Sequence, residues 1–514
     1  MSPLALGADV VPGVVAVVLV TVATLAIGTW GLKFSRTTSD FFVASRTVGP
    51  RLNASAIGGE YLSAASFLGI AGLVLTFGAD MLWYPVGWTA GYLVLLLLVA
   101  APLRRSGAYT LPDFAEARLG SRGVRALCSV LVVGIGWLYL LPQFQGAGLT
   151  LQTAIDAPPW VGPLVVSVVV LVNVGSGGMR SITFVQAFQY WLKLTALLLP
   201  VCVLLAVWAG DGAPSPASLG DAGGGDLWSS PLGDGGAQGL YVTYSLIVAT
   251  FLGTMGLPHV VVRFYTNPDG RAARRTTLVV LALLALFYLL PPIYGALGRI
   301  YASDLAAAGG TDVLVLELPR LMVDGLLGEV LTGLVTAGAF AAFLSTSSGL
   351  AIAVAGVLSQ DVTGRRIGGH RLSGVAAFRA GAVLAVVVPA LVSIAAADVG
   401  VARTVGLAFA VAASTFCPLL VLGIWWRGLT QIGAIAGLAV GGLGSGLAVG
   451  WTLLSAEATG WVAVLLGQPA AWSVPSAMAT MVVVSRMTSS SVPAHAGRFM
   501  VRLHTPEAID LQRG

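Results

Sequence analysis

The sequence predicts an all-α polytopic membrane protein with about thirteen transmembrane helices. Three observations carry that expectation. Apolar residues make up 57% of the 514 residues and charged residues only 10%, where a soluble chain shows about 25% charged. Mean hydropathy is +0.90. The apolar residues fall in long runs separated by short loops, and basic residues collect in alternate loops, the pattern of the positive-inside rule. At about 22 residues per crossing, thirteen crossings leave no room for a soluble domain. Disorder, collagen, coiled coil and an ordinary cytosolic enzyme are excluded by the same composition.

The first run, 12–33, has no Lys or Arg before it, while Lys33 and Arg36 follow it. That order predicts a retained span with its N-terminus outside, not a cleavable signal peptide. Runs follow at 52–78, 80–102, 123–151, 159–176 and 181–209, then at 239–266, 276–300, 322–359, 376–397, 401–426, 429–454 and 470–486. One set of loops holds Lys33, Arg36, Arg46 and Arg51; Arg104, Arg105, Arg118, Arg122 and Arg125; Arg180; and Arg263, Arg271, Arg274 and Arg275. It continues with Arg365, Arg366, Arg371 and Arg379, then Arg427, and a tail with Arg486, Arg498, Arg502 and Arg513. The opposite set holds Asp80, Asp156, Asp211, Asp221, Asp226, Asp234, Asp304, Asp312, Asp398 and Glu457. Arg299, Arg320 and Arg403 break the alternation. The count is odd, so the C-terminus is expected inside.

A Gly/Asp/Ser/Pro-rich outer loop at 210–237 separates two blocks of five helices. An odd number per block reverses the second block relative to the first, as an inverted repeat requires. The expected organisation is a single transporter domain over 1–487. It comprises a flanking helix at 12–33, a first repeat at 52–209, a second at 239–426 and flanking helices 12 and 13 at 429–486. A polar, basic cytoplasmic tail occupies 488–514. The net charge of +5 is read as topology signal, so no nucleic-acid partner is expected. Cys128, Cys202 and Cys417 are far apart in apolar runs and have no metal-binding spacing.

Three spans carry features that suit transport. The second places Gly58-Gly59 beside Glu60 at mid-membrane. A glycine pair lets a helix unwind and frees carbonyls that need a partner, and an intramembrane carboxylate is costly unless paired or functional. The seventh places Gly253, Gly256 and Pro258 within six residues, followed by His259; a straight helix does not survive that. Pro258 suits the first turn of a second half-helix, whose N–H groups would favour an anion. Broken helices at matching positions of two blocks point to a transport site. The ninth carries Ser345-Thr-Ser-Ser348, hydroxyls that serve either helix packing or a hard cation such as Na⁺. Lys193 is the one lysine in a span, at mid-depth, and either pairs with an acid or lines a polar cavity. Gln143, Gln145, Gln186 and Gln189 read as cavity lining or interhelical hydrogen bonds. No P-loop, nucleophile elbow or HExxH is present, so the chain is not read as an enzyme and its energy source would be an ion gradient.

These strings resemble the sodium:solute symporter family, and within it the cation/acetate symporter branch. The resemblance rests on Gly59-Glu-Tyr-Leu-Ser-Ala-Ala-Ser-Phe-Leu-Gly69, Gly256-Leu-Pro-His259 with Arg263-Phe-Tyr-Thr266, Ser359-Gln-Asp361 and Val405-Gly-Leu-Ala-Phe-Ala-Val-Ala-Ala-Ser414. It implies a LeuT-type core of five plus five helices with flanking helices. It also implies a Na⁺ site between helices 2 and 9, formed by the carbonyls of Gly59, Leu62 and Ala342 and the hydroxyls of Ser345 and Thr346. The two hydroxyls favour Na⁺ over H⁺. Gln186 stands where many members of the family have Asp. A substrate site is expected at the midplane, with Tyr61, Ser63 and Ser66 at the first break, Gly253, Thr254, Gly256 and His259 at the second, and Gln143 and Phe416 as further wall.

The expected activity is symport of Na⁺ with a short monocarboxylate such as acetate, propionate or pyruvate, inward across the cell membrane. The expected partners are a small organic anion and the lipid bilayer, with a small membrane accessory subunit as an open option and no cofactor beyond Na⁺ as coupling ion. Alternatives are H⁺ coupling through Glu60, another solute such as an amino acid or sugar, and a transporter-like metabolite receptor, for which the tail is short.

Overall fold

Interruptions in the helices set the architecture. The computed structural model describes residues 11–31, 33, 44–216, 228–232, 236–307, 310–361, 374–395, 400–454 and 459–507. Among them every regular element is helical. The helices used below are α1 (Val11–Gly31), α2 (Pro50–Tyr61), α3 (Ile70–Phe77), α4 (Trp83–Val94), α5 (Ala100–Ser106), α6 (Leu111–Leu119) and α7 (Arg122–Ile155). They continue with α8 (Val161–Gly210), α9 (Gly236–Gly256), α10 (Pro258–Phe264), α11 (Gly270–Tyr288), α12 (Leu290–Tyr301), α13 (Leu314–Met322) and α14 (Gly325–Asp361). The last are α15 (Gly374–Ala395), α16 (Val401–Trp425), α17 (Gln431–Leu454), α18 (Ala470–Met487) and α19 (Ala496–His504).

Each of the thirteen apolar runs contains helix, but only ten helices among the described residues are long and apolar enough to cross a membrane. The difference has local causes. The second run breaks after Tyr61, and its latter half continues without interruption into the third, over Ala65–Ser106. The fifth is the shorter apolar helix Val161–Gly175, ahead of a kink at Gly178, where φ is 57° and ψ −158°; only glycine takes that backbone readily. The thirteenth, α18, carries three serines, Pro475 and Arg486 and is less apolar. Among the charges that mark topology, Arg36, Arg365, Arg366, Arg371, Arg513, Asp221, Asp226, Asp234, Asp398 and Glu457 lie outside the described residues, as does half of the 210–237 loop.

The core lies around α14 and α16. The apolar window of α14 is 100% buried and that of α16 is 89% buried, whereas α1 buries 33% of its window. α1 turns Val18, Leu19 and Val22 outward, and α17 turns out Leu443 and Leu447, which suits contact with lipid tails. Small residues bring the inner helices together. A Cβ on Gly338 of α14 would overlap Ala196 and the Phe67 ring, and one on Gly59 would overlap the main-chain carbonyl of Gln186 in α8.

Polar ties close the end that carries the basic loops. Arg118, expected among the loop charges, is fully buried. It donates to the carbonyls of Gly423 (3.0 Å), Trp426 (3.0 Å) and Arg427 (3.2 Å). A guanidinium there satisfies carbonyls left free at the C-terminus of α16 and meets its negative dipole end. Arg125 bridges Asp113 (2.9 Å), Glu116 (2.7 Å) and Asp361 (2.7 Å), fastening α6 and α7 to the end of α14. Part of the tail is ordered against this end. α19 buries Met500 and Leu503, Phe499 packs on Phe114 with ring centroids 6.1 Å apart, and Arg105 donates to the Leu503 carbonyl.

Candidate substrate and cation site

The break after α2 redirects main-chain groups that an unbroken helix would pair within itself. Tyr61 ends the helix, and Leu62 takes φ −73° and ψ 89°. A π-helical turn, Ala65–Gly69, resumes the path. In an unbroken helix the Ala64 N–H would bond the Glu60 carbonyl. Here the Ala64 N–H donates to Gln143 Oε1 at 3.0 Å, and the Glu60 carbonyl accepts from Thr346 Oγ1 at 2.7 Å. The carbonyls of Gly59 and Leu62 both accept from the Lys193 ammonium, at 2.7 Å in the case of Leu62. The third bond of Lys193 goes to Ser345 Oγ at 2.9 Å. Ser345 Oγ in turn donates to the Ala342 carbonyl at 3.0 Å. Gln186 Nε2 donates to the Ser345 carbonyl at 2.9 Å.

All five residues expected around a cation therefore meet in one network between α2, α8 and α14. Three of them share one donor, Lys193. Thr346 spends its hydroxyl on Glu60, and the Ala342 carbonyl is reached through Ser345. Lys193 was legible only as a buried lysine of open role; its place at the centre of these oxygens was not.

Glu60 is buried and paired. Its Oε2 accepts from Arg263 Nε at 2.6 Å, with the two side chains 2% and 1% exposed. Arg263 was expected in a basic loop. Instead it ends α10, donates to Thr183 Oγ1 at 3.0 Å, and its own carbonyl accepts from Asn53 Nδ2 of α2. Gly349 of α14 lies against this pair so closely that a Cβ there would overlap the Glu60 carboxyl group. The ion pair thus ties the two broken helices together near the C-terminal ends of α2 and α10.

The second break falls between Gly256 and Pro258, with Leu257 extended at φ −72° and ψ 119°. Glycine is required on its α16 side: a Cβ on Gly253 would strike the Phe409 carbonyl, and one on Gly256 the Ala412 carbonyl with the Phe416 side chain behind it. The second half-helix, α10, is seven residues long, so side chains rather than a long dipole supply most of the donors here. Tyr61 Oη contacts Thr254 Oγ1 at 2.9 Å and the Trp88 carbonyl at 3.3 Å, which joins the two breaks. Ser63 lies beside the Tyr139 hydroxyl, and Ser66 turns toward Tyr288, 2.9 Å between hydroxyls. Ser66 is thereby engaged with α11.

Aromatic residues surround this junction. Phe409 lies 5.6 Å from Trp88, 5.9 Å from Tyr139 and 6.2 Å from Tyr61, centroid to centroid. Tyr92 packs on Tyr61 at 4.8 Å and His259 on Tyr139 at 5.2 Å. Trp88 Nε1, Tyr92 Oη and both ring nitrogens of His259 are buried with no hydrogen-bond partner. Buried polar groups are nearly always bonded, so this concentration of free groups makes the junction the candidate place for a polar guest. Of these residues only His259 and Tyr61 stood out in the sequence. Trp88, Tyr92, Tyr139 and Phe409 did not, because aromatic residues in a membrane helix look the same whether they face lipid or a cavity.

Comparison with known proteins agrees with this architecture. The model of the sodium:solute symporter family matches residues 41–441. An uncharacterised symporter, YwcA of Bacillus subtilis (strain 168), is 30% identical over 429 residues, covering 81% of this chain and 82% of that protein. The fold resembles that of a Na⁺-coupled sialic acid symporter in a substrate-bound outward-open state, with a TM-score of 0.68 at 15% identity over 93% of this chain and 98% of the other. It also resembles Mhp1, a nucleobase-cation-symport-1 family transporter in a closed conformation with bromovinylhydantoin bound, with a TM-score of 0.55 at 14% identity over 91% and 99% of the two chains. The architecture is the LeuT-type fold of Na⁺ symporters. The chain belongs to the sodium:solute symporter family: it is a multi-pass membrane protein that carries a solute with sodium, not an enzyme.

Proposed function

We propose that the solute is a short monocarboxylate such as acetate, propionate or pyruvate, taken up by alternating access. The observation that carries this reading is the set of unpartnered donors on Trp88, Tyr92 and His259 around Phe409. A carboxylate presents acceptor lone pairs to N–H and O–H groups, and a short alkyl end suits the Phe409 and Phe416 side. The junction is aromatic and tightly enclosed, with these residues at most 1% exposed, which favours a small guest. In this reading Tyr61, Ser63, Thr254, His259 and Gln143 orient the carboxylate, Gly253 and Gly256 let α9 approach α16, and Ser66 contributes through Tyr288.

The co-transported Na⁺ would bind the oxygens of Gly59, Leu62, Ala342, Ser345 and Thr346. That donor set is carbonyl and hydroxyl only, which suits a hard cation. It joins the α2 break to α14, so Na⁺ bound there favours whichever arrangement holds the two together, a shift set by its differential affinity for the two states. The blocks 52–209 and 239–426 would be the oppositely oriented halves that move against each other.

The test is uptake of radiolabelled acetate, propionate and pyruvate into proteoliposomes, with and without an inward Na⁺ gradient at fixed pH. Na⁺-dependent accumulation of one of the three is the expected result. Uptake driven equally well by a pH gradient alone would turn attention to Glu60, and no uptake of any of the three would exclude the monocarboxylate class.

A further inference from the structure

We propose that Lys193 is a tethered competitor of the transported Na⁺, an internal cation that must leave the oxygens of Gly59, Leu62 and Ser345 before Na⁺ can occupy them. The inference rests on the reading that these oxygens form the Na⁺ site. Its basis is geometric: one ammonium makes all three of its hydrogen bonds to members of that set, and Lys193 is fully buried.

Composition sharpens the point. Of the 27 Lys and Arg residues only Lys33 and Lys193 are lysine. Lys33 is exposed beyond the end of α1. Arginine serves every other basic position, including the buried Arg118 and Arg263. The exception falls where the acceptors converge on one point. A planar guanidinium cannot be surrounded that way, whereas an ammonium is a compact point charge with three rotatable donors.

Two consequences follow. The freed carbonyls of the α2 break have a partner when no Na⁺ is bound, so the break does not collapse or take in water. Two unit charges of the same sign cannot share one set of oxygens in a buried site without strong repulsion. Around the site stand Glu60, whose Oε2 is paired with Arg263, and the uncharged Gln186 and Thr346. Among the described residues, no carboxylate other than this Arg263-paired Glu60 stands there to hold a second cation beside Lys193. Na⁺ entry and departure of the Lys193 head group are thus one exchange, and the four-carbon stem gives the head group room to swing.

The test is ²²Na⁺ binding to the purified full-length protein at fixed pH, comparing wild type with Lys193→Met. Removal of a competitor should tighten Na⁺ binding at least tenfold. A second measurement uses the wild type alone and does not depend on the variant folding: pulse acetylation of lysine, read by mass spectrometry with Lys33 as internal reference. Na⁺, but not choline, should raise the rate at Lys193 by severalfold. Binding to Lys193→Met that is equal to or weaker than wild type overturns the proposal while leaving the Na⁺ site standing. Where the variant is not recovered folded, Na⁺-independent or Na⁺-slowed acetylation overturns it. Absence of ²²Na⁺ binding in both proteins overturns this proposal and the Na⁺ site together.

Discussion

The hydroxyl of Thr346 donates to the main-chain carbonyl of Glu60 at 2.7 Å, filling on α14 the bond that the broken α2 no longer makes within itself. Residues 286 apart in sequence thus complete one helical turn. Thr346→Val keeps the shape and removes the donor, leaving a buried carbonyl unsatisfied at a cost of about 1–3 kcal/mol. The expected result is a lower thermal unfolding temperature of the detergent-solubilised protein together with weaker Na⁺ dependence of uptake. Ser345→Ala should weaken Na⁺ dependence more than stability, since its acceptor, the Ala342 carbonyl, stays within its own helix. An unchanged Na⁺ dependence in the double variant would remove both hydroxyls from the cation site.

The buried pair of Glu60 and Arg263 gives a second prediction. Glu60→Gln strands the guanidinium in a buried site, and breaking a buried pair from one side costs about 3–5 kcal/mol. Replacing both, as Glu60→Gln with Arg263→Met, removes the stranded charge and should recover most of the loss. Thermal unfolding of the two single variants and the double variant measures this directly. A double variant as unstable as the sum of the singles would mean that the two charges act separately.

Much of this site was readable because backbone chemistry is local. Gly58-Gly59 and the trio Gly253, Gly256 and Pro258 announce interrupted helices, and the structure breaks the chain within three residues of each. The hydroxyls of Ser345 and Thr346 announced a polar stripe in an otherwise apolar helix, and both lie at the first break. What could not be read were partnerships across long separations. Lys193 and Leu62 are 131 residues apart and Arg263 and Glu60 are 203 apart. Arg263 also carried a misleading signal, since its position at the end of an apolar run is where the positive-inside rule places a loop charge. The expected count of thirteen crossings met a similar limit: apolar content marks where helix forms, but the breaks and kinks decide how many uninterrupted rods result.

Gly59 offers a purely steric prediction. Its missing side chain lets α2 approach the Gln186 carbonyl of α8, the contact that holds Lys193 within reach of the break. Gly59→Ala forces the two backbones apart, and overpacking of this kind costs about 1–3 kcal/mol or more when the obstacle is main chain. Transport should fall by at least tenfold with expression largely retained. Gly175→Ala, with open space around it, is the matched control and should leave transport near wild type. Equal activity of the two variants would show that the α2–α8 approach is not needed for the cycle.

His259 distinguishes a substrate contact from a packed ring. Both its nitrogens are buried without partners while its face rests on Tyr139. A structural histidine would be expected to hold at least one bond, because an unsatisfied buried polar group costs about 1–3 kcal/mol. If a carboxylate supplies the missing partner, His259→Phe keeps the aromatic packing and deletes only the polar contact. The substrate-free variant should then be at least as stable as the wild type, because the unsatisfied nitrogens are gone. Its KM for the transported acid should rise about tenfold or more, equivalent to roughly 1.4 kcal/mol, and the thermal stabilisation caused by saturating substrate should shrink accordingly. A variant that loses stability without substrate but keeps its KM would assign His259 to packing and shift the carboxylate contacts to Trp88 and Tyr92.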